Sequence, residues 1–70
     1  MIEIFKTNVE DGETAGNLID LLLQSFPGNK INFDLHDCDK ILRIEGLNYT
    51  ATDIMTLVKE NGYYCELITS

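Results

Sequence analysis

Two clusters in the 70-residue chain hold residue types from which a site can be built. The first is Lys6-Thr7-Asn8-Val9-Glu10-Asp11-Gly12-Glu13-Thr14, which sets carboxylates, hydroxyls and amides around one glycine. The second is His36-Asp37-Cys38-Asp39, with the single histidine and one of two cysteines. Asp11, Glu13, His36 and Cys38 are the candidate metal ligands, because carboxylate, imidazole and thiolate together suit a divalent ion. Their spacing matches no established ligand pattern. The plainer reading is a solvated acidic end, where Asp11 caps a helix and Asp37 and Asp39 shape a turn.

Catalytic chemistry has less support. No Ser–His or Cys–His pair sits in a nucleophile-activating motif. Paired carboxylates occur only in expected turns, where nothing separates their pKa values. Asp11-Gly12-Glu13 has one glycine, no lysine and two acids, so it repels phosphate instead of cradling it. The expectation is a protein that is not an enzyme, with no catalytic residues and no cofactor.

The elements that position these residues follow from periodicity. Met1 to Val9 alternates as a strand with apolar groups on both faces, as a central strand does. From about Glu13 to Phe26, Ala15, Leu18, Leu22 and Phe26 mark one helical face, with Asp11 as N-cap. Pro27-Gly28-Asn29 stops that helix. Lys30 to His36 and Lys40 to Glu45 alternate around a short polar turn and read as an antiparallel hairpin. Thr50-Ala51-Thr52-Asp53 is a variant capping box, opening a helix to about Asn61 with Gly62 at C′. Tyr63 to Thr69 is the last strand. The order β-α-β-β-α-β predicts an α+β, ferredoxin-like sandwich, with two helices on one face of a four-stranded antiparallel sheet. One domain, residues 1–70, accounts for the whole sequence, which divides into two similar β-α-β halves.

Twelve acidic against five basic residues give a net charge of −7. That field disfavours nucleic acid and anionic membrane surfaces, and it favours a basic partner surface. The longest apolar run, Leu21-Leu22-Leu23, is far too short for a bilayer, and no secretory pattern opens the sequence; a cytoplasmic protein is expected. Cys38 and Cys65 are expected as reduced thiols, Cys65 buried, with no bridge between them.

The runs Phe5-Lys6-Thr7-Asn8-Val9, Asp39-Lys40-Ile41-Leu42-Arg43-Ile44-Glu45-Gly46 and Val58-Lys59-Glu60-Asn61-Gly62-Tyr63 resemble the heavy-metal-associated domains of copper chaperones and metal-transporting ATPases. The resemblance covers nearly the whole chain. That family carries Cys-x-x-Cys on its first turn, and the matching positions here are Asp11 and Thr14. A carboxylate and a hydroxyl are hard oxygen donors, unsuited to Cu(I), so the resemblance implies the fold without the thiolate site.

On the sheet face away from the helices, alternation places Ile2, Ile4, Ile41, Tyr64 and Ile68 among Asn32, Asp34, Arg43, Glu45 and Glu66. Such a surface suits a protein partner or self-association, although scattered apolar residues on an open sheet are also ordinary. The leading expectation is a small non-catalytic interaction module. The alternatives are a metal-binding protein with an altered site in the first loop and hairpin turn, and a regulatory domain that binds a small molecule between subunits.

Overall fold

A computed structural model of the chain describes residues 1–36 and 38–69. Its elements are β1 (Ile2–Thr7), α1 (Gly12–Ser25), β2 (Lys30–Asp34), β3 (Ile41–Glu45), α2 (Ala51–Glu60) and β4 (Cys65–Leu67). The strands form one antiparallel sheet in the order β2-β3-β1-β4, so β1 is an inner strand as its two-faced pattern implies. This is the expected ferredoxin-like α+β arrangement.

Alternation along the strands decides which face is covered. Phe5 and Thr7 of β1, Ile31 of β2, Leu42 and Ile44 of β3 and Cys65 of β4 are buried. The apolar members of that set pack with Leu22 of α1 and with Ile54 and Val58 of α2 in one core. A second, smaller cluster of Val9, Ala15 and Leu18 continues it towards Phe33, Leu35 and Tyr63. Phe5 is wholly buried beneath both helices, and its removal would leave one of the largest voids the core can have.

Both helix starts use the expected side chains. The Asp11 carboxylate accepts from the Thr14 N–H at 3.0 Å, and the Thr50 hydroxyl accepts from the Asp53 N–H at 3.2 Å. Each cap satisfies one amide that the first turn leaves without an intrahelical partner. At the end of α2, Gly62 takes φ 92°. Its N–H bonds the Lys59 carbonyl, and the Tyr63 N–H bonds the Val58 carbonyl. These are the paired bonds of a Schellman closure.

Strands β4, β1 and β2 are shorter than the pattern suggests. The last strand begins at Cys65 and not Tyr63, because the Tyr63 amide is taken by the α2 closure and the Tyr64 amide by the Asn8 side chain. It keeps one further bond beyond Leu67, from the Ile68 N–H to the Ile4 carbonyl. The first strand ends at Thr7 and not Val9, because Lys40, at φ 49°, shifts the ladder there. The Thr7 N–H bonds the Asp39 carbonyl, and its hydroxyl donates to the Lys40 carbonyl at 2.5 Å. Likewise β2 stops at Asp34, whose carboxylate turns back to accept from the His36 N–H at 3.2 Å.

Gly46 closes β3 at φ 150°, a region in which a side chain is strained. A Cβ there would also overlap the Asn29 Oδ1. Asn29 is buried, its Nδ2 donates to the Phe26 carbonyl at 2.9 Å, and its Oδ1 has no hydrogen-bond partner among the described residues. Gly46→Ala is therefore expected to cost about 2–4 kcal/mol, from backbone strain and overlap together. In an Asn29→Gly background the same change should cost less, since the side-chain overlap is gone and the backbone strain and a 3.2 Å approach to the residue-29 Cα remain. Urea unfolding of the four chains measures both numbers.

Candidate functional site: the acidic loop end and the open sheet face

Three connections meet at one end of the sheet. The Thr7 bonds to Asp39 and Lys40 tie the first turn to the hairpin connection, and the Tyr64 N–H to Asn8 Oδ1 bond, 2.8 Å, ties it to the exit from α2. The Thr7 oxygen also accepts from the Val9 N–H at 3.3 Å, which turns the chain towards α1. Lys40 Nζ reaches across the hairpin to the Leu35 carbonyl at 3.1 Å. Lys6 lies 3.6 Å from Asp39, a solvent-facing ion pair of small energetic value.

The candidate ligands sit at this end without converging. Asp11, Glu13, His36 and Cys38 are all exposed. Among the described residues, no three His, Cys, Asp or Glu side chains come close enough to share an ion. The Asp11 carboxylate is occupied by the α1 cap. Asp37 lies outside the described residues. The end is an acidic rim, held by backbone bonds and the Asn8 and Thr7 side chains. Sequence reasoning passed over Asn8 and Thr7 as members of this assembly. Their signal was position: two short hydrogen-bonding side chains at the end of a strand, where ladder bonds run out.

The cap shapes the titration of Asp11. The hydrogen bond from the Thr14 amide holds its carboxyl below the ordinary value of 3.8. The folded chain therefore prefers the carboxylate. The contribution is complete above about pH 4 and is lost as pH falls through the lowered folded value. The protection of the Thr14 amide, taken against its intrinsic exchange rate, is expected to fall on acidification in that window, and in Asp11→Ala to be low and without that pH step.

The two thiols are in opposite situations. Cys38 is exposed and Cys65 is buried, and both are free. Burial pushes the Cys65 thiol up to about 11 from 9.0, with Lys59 opposing weakly. Iodoacetamide at about pH 8 is expected to label the folded chain once, at Cys38, and twice only after unfolding. Stability from the protonated Cys65 is complete below about pH 9 and declines as pH rises towards 11. Mass spectrometry and alkaline unfolding curves check the two statements.

The open face is read from the strand register. Ile2 and Ile4 of β1 lie beside Glu45 and Arg43 of β3, and Ile68 bonds to Ile4 on the other side. Ile2, Ile4 and Ile68 are 49%, 39% and 45% exposed, so they form the apolar part of the face. Ile41 is half-buried, opposite Asp34 on one side and Lys6 on the other. Tyr64 is exposed beyond the Lys6–Glu66 pair, and its hydroxyl bonds the Glu66 carboxylate. The five residues thus form an isoleucine group of Ile2, Ile4 and Ile68, with Ile41 beside Lys6 in the charged row and Tyr64 beyond that row. Arg43 lies 3.7 Å from Glu45 on the same face. No pocket opens among the described residues, and no helix there is long and apolar enough to cross a membrane.

Comparison with protein-family models, with curated proteins and with solved structures found no match.

Proposed function

We propose that this chain is a non-catalytic binding module on a scaffold like that of the heavy-metal-associated domains, and that its open sheet face engages another protein. The observation that carries this reading is the Ile2–Ile4–Ile68 group, two exposed isoleucines of the inner strand β1 and a third just past the end of β4, bonded to Ile4. Each is free of core duty, because the core takes the alternate residues Phe5 and Leu67. Large apolar side chains held in contact with water in this way are the material of protein interfaces.

Charge selects the kind of partner. Glu45 and Glu66 border the isoleucine group together with Arg43 and Lys6, so the preference for a basic partner comes from the −7 of the whole chain. A partner with an apolar centre and lysines or arginines at its rim is complementary to that pattern. The acidic loop end lies at one end of the same sheet and extends the field that draws such a partner in. The oxygens at Asp11 and Thr14 support the same reading, since they leave the first turn without the thiolates that a soft ion requires.

A bait comparison tests this. A folded wild-type chain is expected to retain a discrete protein from native lysate of its source cells, with basic surface, that an Ile4→Asp chain fails to retain. Ile4 is exposed, so the change leaves the core intact. Equal retention by both baits would remove the open face from the function. A zinc or copper titration followed by NMR supplies the contrast. Saturable shifts at Asp11, Glu13, His36 and Cys38 at about micromolar metal would instead support the altered metal site.

A further inference from the structure

The sheet has two edges, and they differ. β4 is three residues long, and its edge is brief. β2 is five residues long, Lys-Ile-Asn-Phe-Asp, with no proline, no bulge in its pairing to β3 and no charge pointing into the core. Those are three of the devices that ordinarily blunt an exposed strand; a fourth, charged side chains, is present as Lys30 and Asp34 at its two ends.

The direction of the free backbone groups on β2 follows from two bonds. The Gly46 N–H donates to the Met1 carbonyl, and the Ile68 N–H donates to the Ile4 carbonyl. Successive residues of an antiparallel strand direct their backbone groups to opposite sides. Gly46, Ile44 and Leu42 therefore face β1, and Glu45, Arg43 and Ile41 face β2. Their partners Lys30, Asn32 and Asp34 bond back to β3. That leaves the N–H and C=O groups of Ile31 and Phe33 pointing outward, with no backbone partner among the described residues.

We propose that this edge pairs with the same edge of a second copy, antiparallel about a two-fold axis through Asn32, joining two sheets into one of eight strands. In that register Ile31 of one copy meets Phe33 of the other, and the outward groups make four hydrogen bonds. Lys30 lies opposite Asp34 of the second copy at both ends. Of the registers that align the outward groups, this one opposes the two charges. Lys30 then sits between that carboxylate and Glu45, its neighbour on β3. Asn32 meets its own copy on the axis, where two amides can bond each other. On the helix side, Ile31 of the second copy covers Phe33, which is half-buried in the single chain and packs beside Leu18 and Leu35.

Self-complementarity selects the occupant. A chain of charge −7 repels its copy in general, but this strand carries one cation and one anion and is neutral. A basic partner would gain from the rest of the surface and find Lys30 opposing it here. The pairing uses the sheet edge, so it stands or falls independently of what binds the open face.

Sedimentation velocity from about 10 µM to about 1 mM tests the proposal. The wild-type chain is expected to shift towards dimer across that range. Lys30→Asp and Asp34→Lys each place like charges at both ends of the pair, and each should weaken dimerisation about tenfold or more. An equimolar mixture of the two variants restores opposite charges at both ends and should dimerise at least as well as wild type. Circular dichroism confirms the fold of each; Lys30→Asp leaves the Asp34 turn to His36 untouched. The amides of Ile31 and Phe33 should gain exchange protection as concentration rises. A wild-type chain that is monomeric at about 1 mM, single variants that dimerise unchanged, or a mixture no better than its parts would each overturn the proposal.

Discussion

Strand β1 bonds β3 along one side and β4 along the other, and the remaining elements take their places from that double pairing. Because β1 is an inner strand, its side chains must serve both faces. Phe5 and Thr7 go inward, and Ile2, Ile4 and Lys6 go outward. The inward set anchors the core under α1 and α2, and the outward set defines the open face. A slip of one residue in the register would exchange the two sets and expose Phe5. The same strand also ends the fold at the acidic rim, where Thr7 replaces a ladder bond with a hydroxyl and an offset amide.

That rim is held by hydrogen bonds between its own connections. The first turn, the hairpin connection and the exit from α2 are fastened to each other. Asp11 is committed to the α1 cap, Asn8 to the Tyr64 amide and Lys40 to the Leu35 carbonyl. Each bond satisfies a backbone group that leaves regular structure at this point. The acids that remain, Glu10, Glu13 and Asp39, are set out towards solvent or, for Asp39, towards Lys6. Their joint effect is a field and not a cage.

The opposite end relies on close approach. Gly46 lets β3 turn directly against Asn29, and the buried Asn29 amide bonds the end of α1 through Phe26. Tyr49 is buried beside this corner, its hydroxyl 3.4 Å from the Ile44 carbonyl, and burial together with Glu3 raises its pKa. The two ends of the sheet are thus stabilised differently: one by hydrogen-bonded loops rich in acids, the other by packing around a glycine. Between them lie the surfaces free to meet other molecules, an isoleucine group on the open face and the outward backbone of β2.

Much of this was written locally in the sequence. Periods of two and of three to four residues gave the six elements and their order, and Asp11, Thr50 and Gly62 marked helix ends through chemistry confined to a few neighbours. Inward and outward sets along each strand followed from the same alternation, including the buried Cys65. The order β-α-β-β-α-β by itself pointed to the ferredoxin-like arrangement that the structure contains. What tertiary structure decided depends on contacts between distant segments. The shortening of β4 needed the α2 closure and Asn8, fifty-six residues from Tyr64, to compete for its amides. The early end of β1 needed Lys40 in a left-handed conformation. Whether Ile2, Ile4, Ile41, Tyr64 and Ile68 touch was set by register, which places the Lys6–Glu66 row between some of them, and no local pattern specifies which residues lie opposite one another across a sheet.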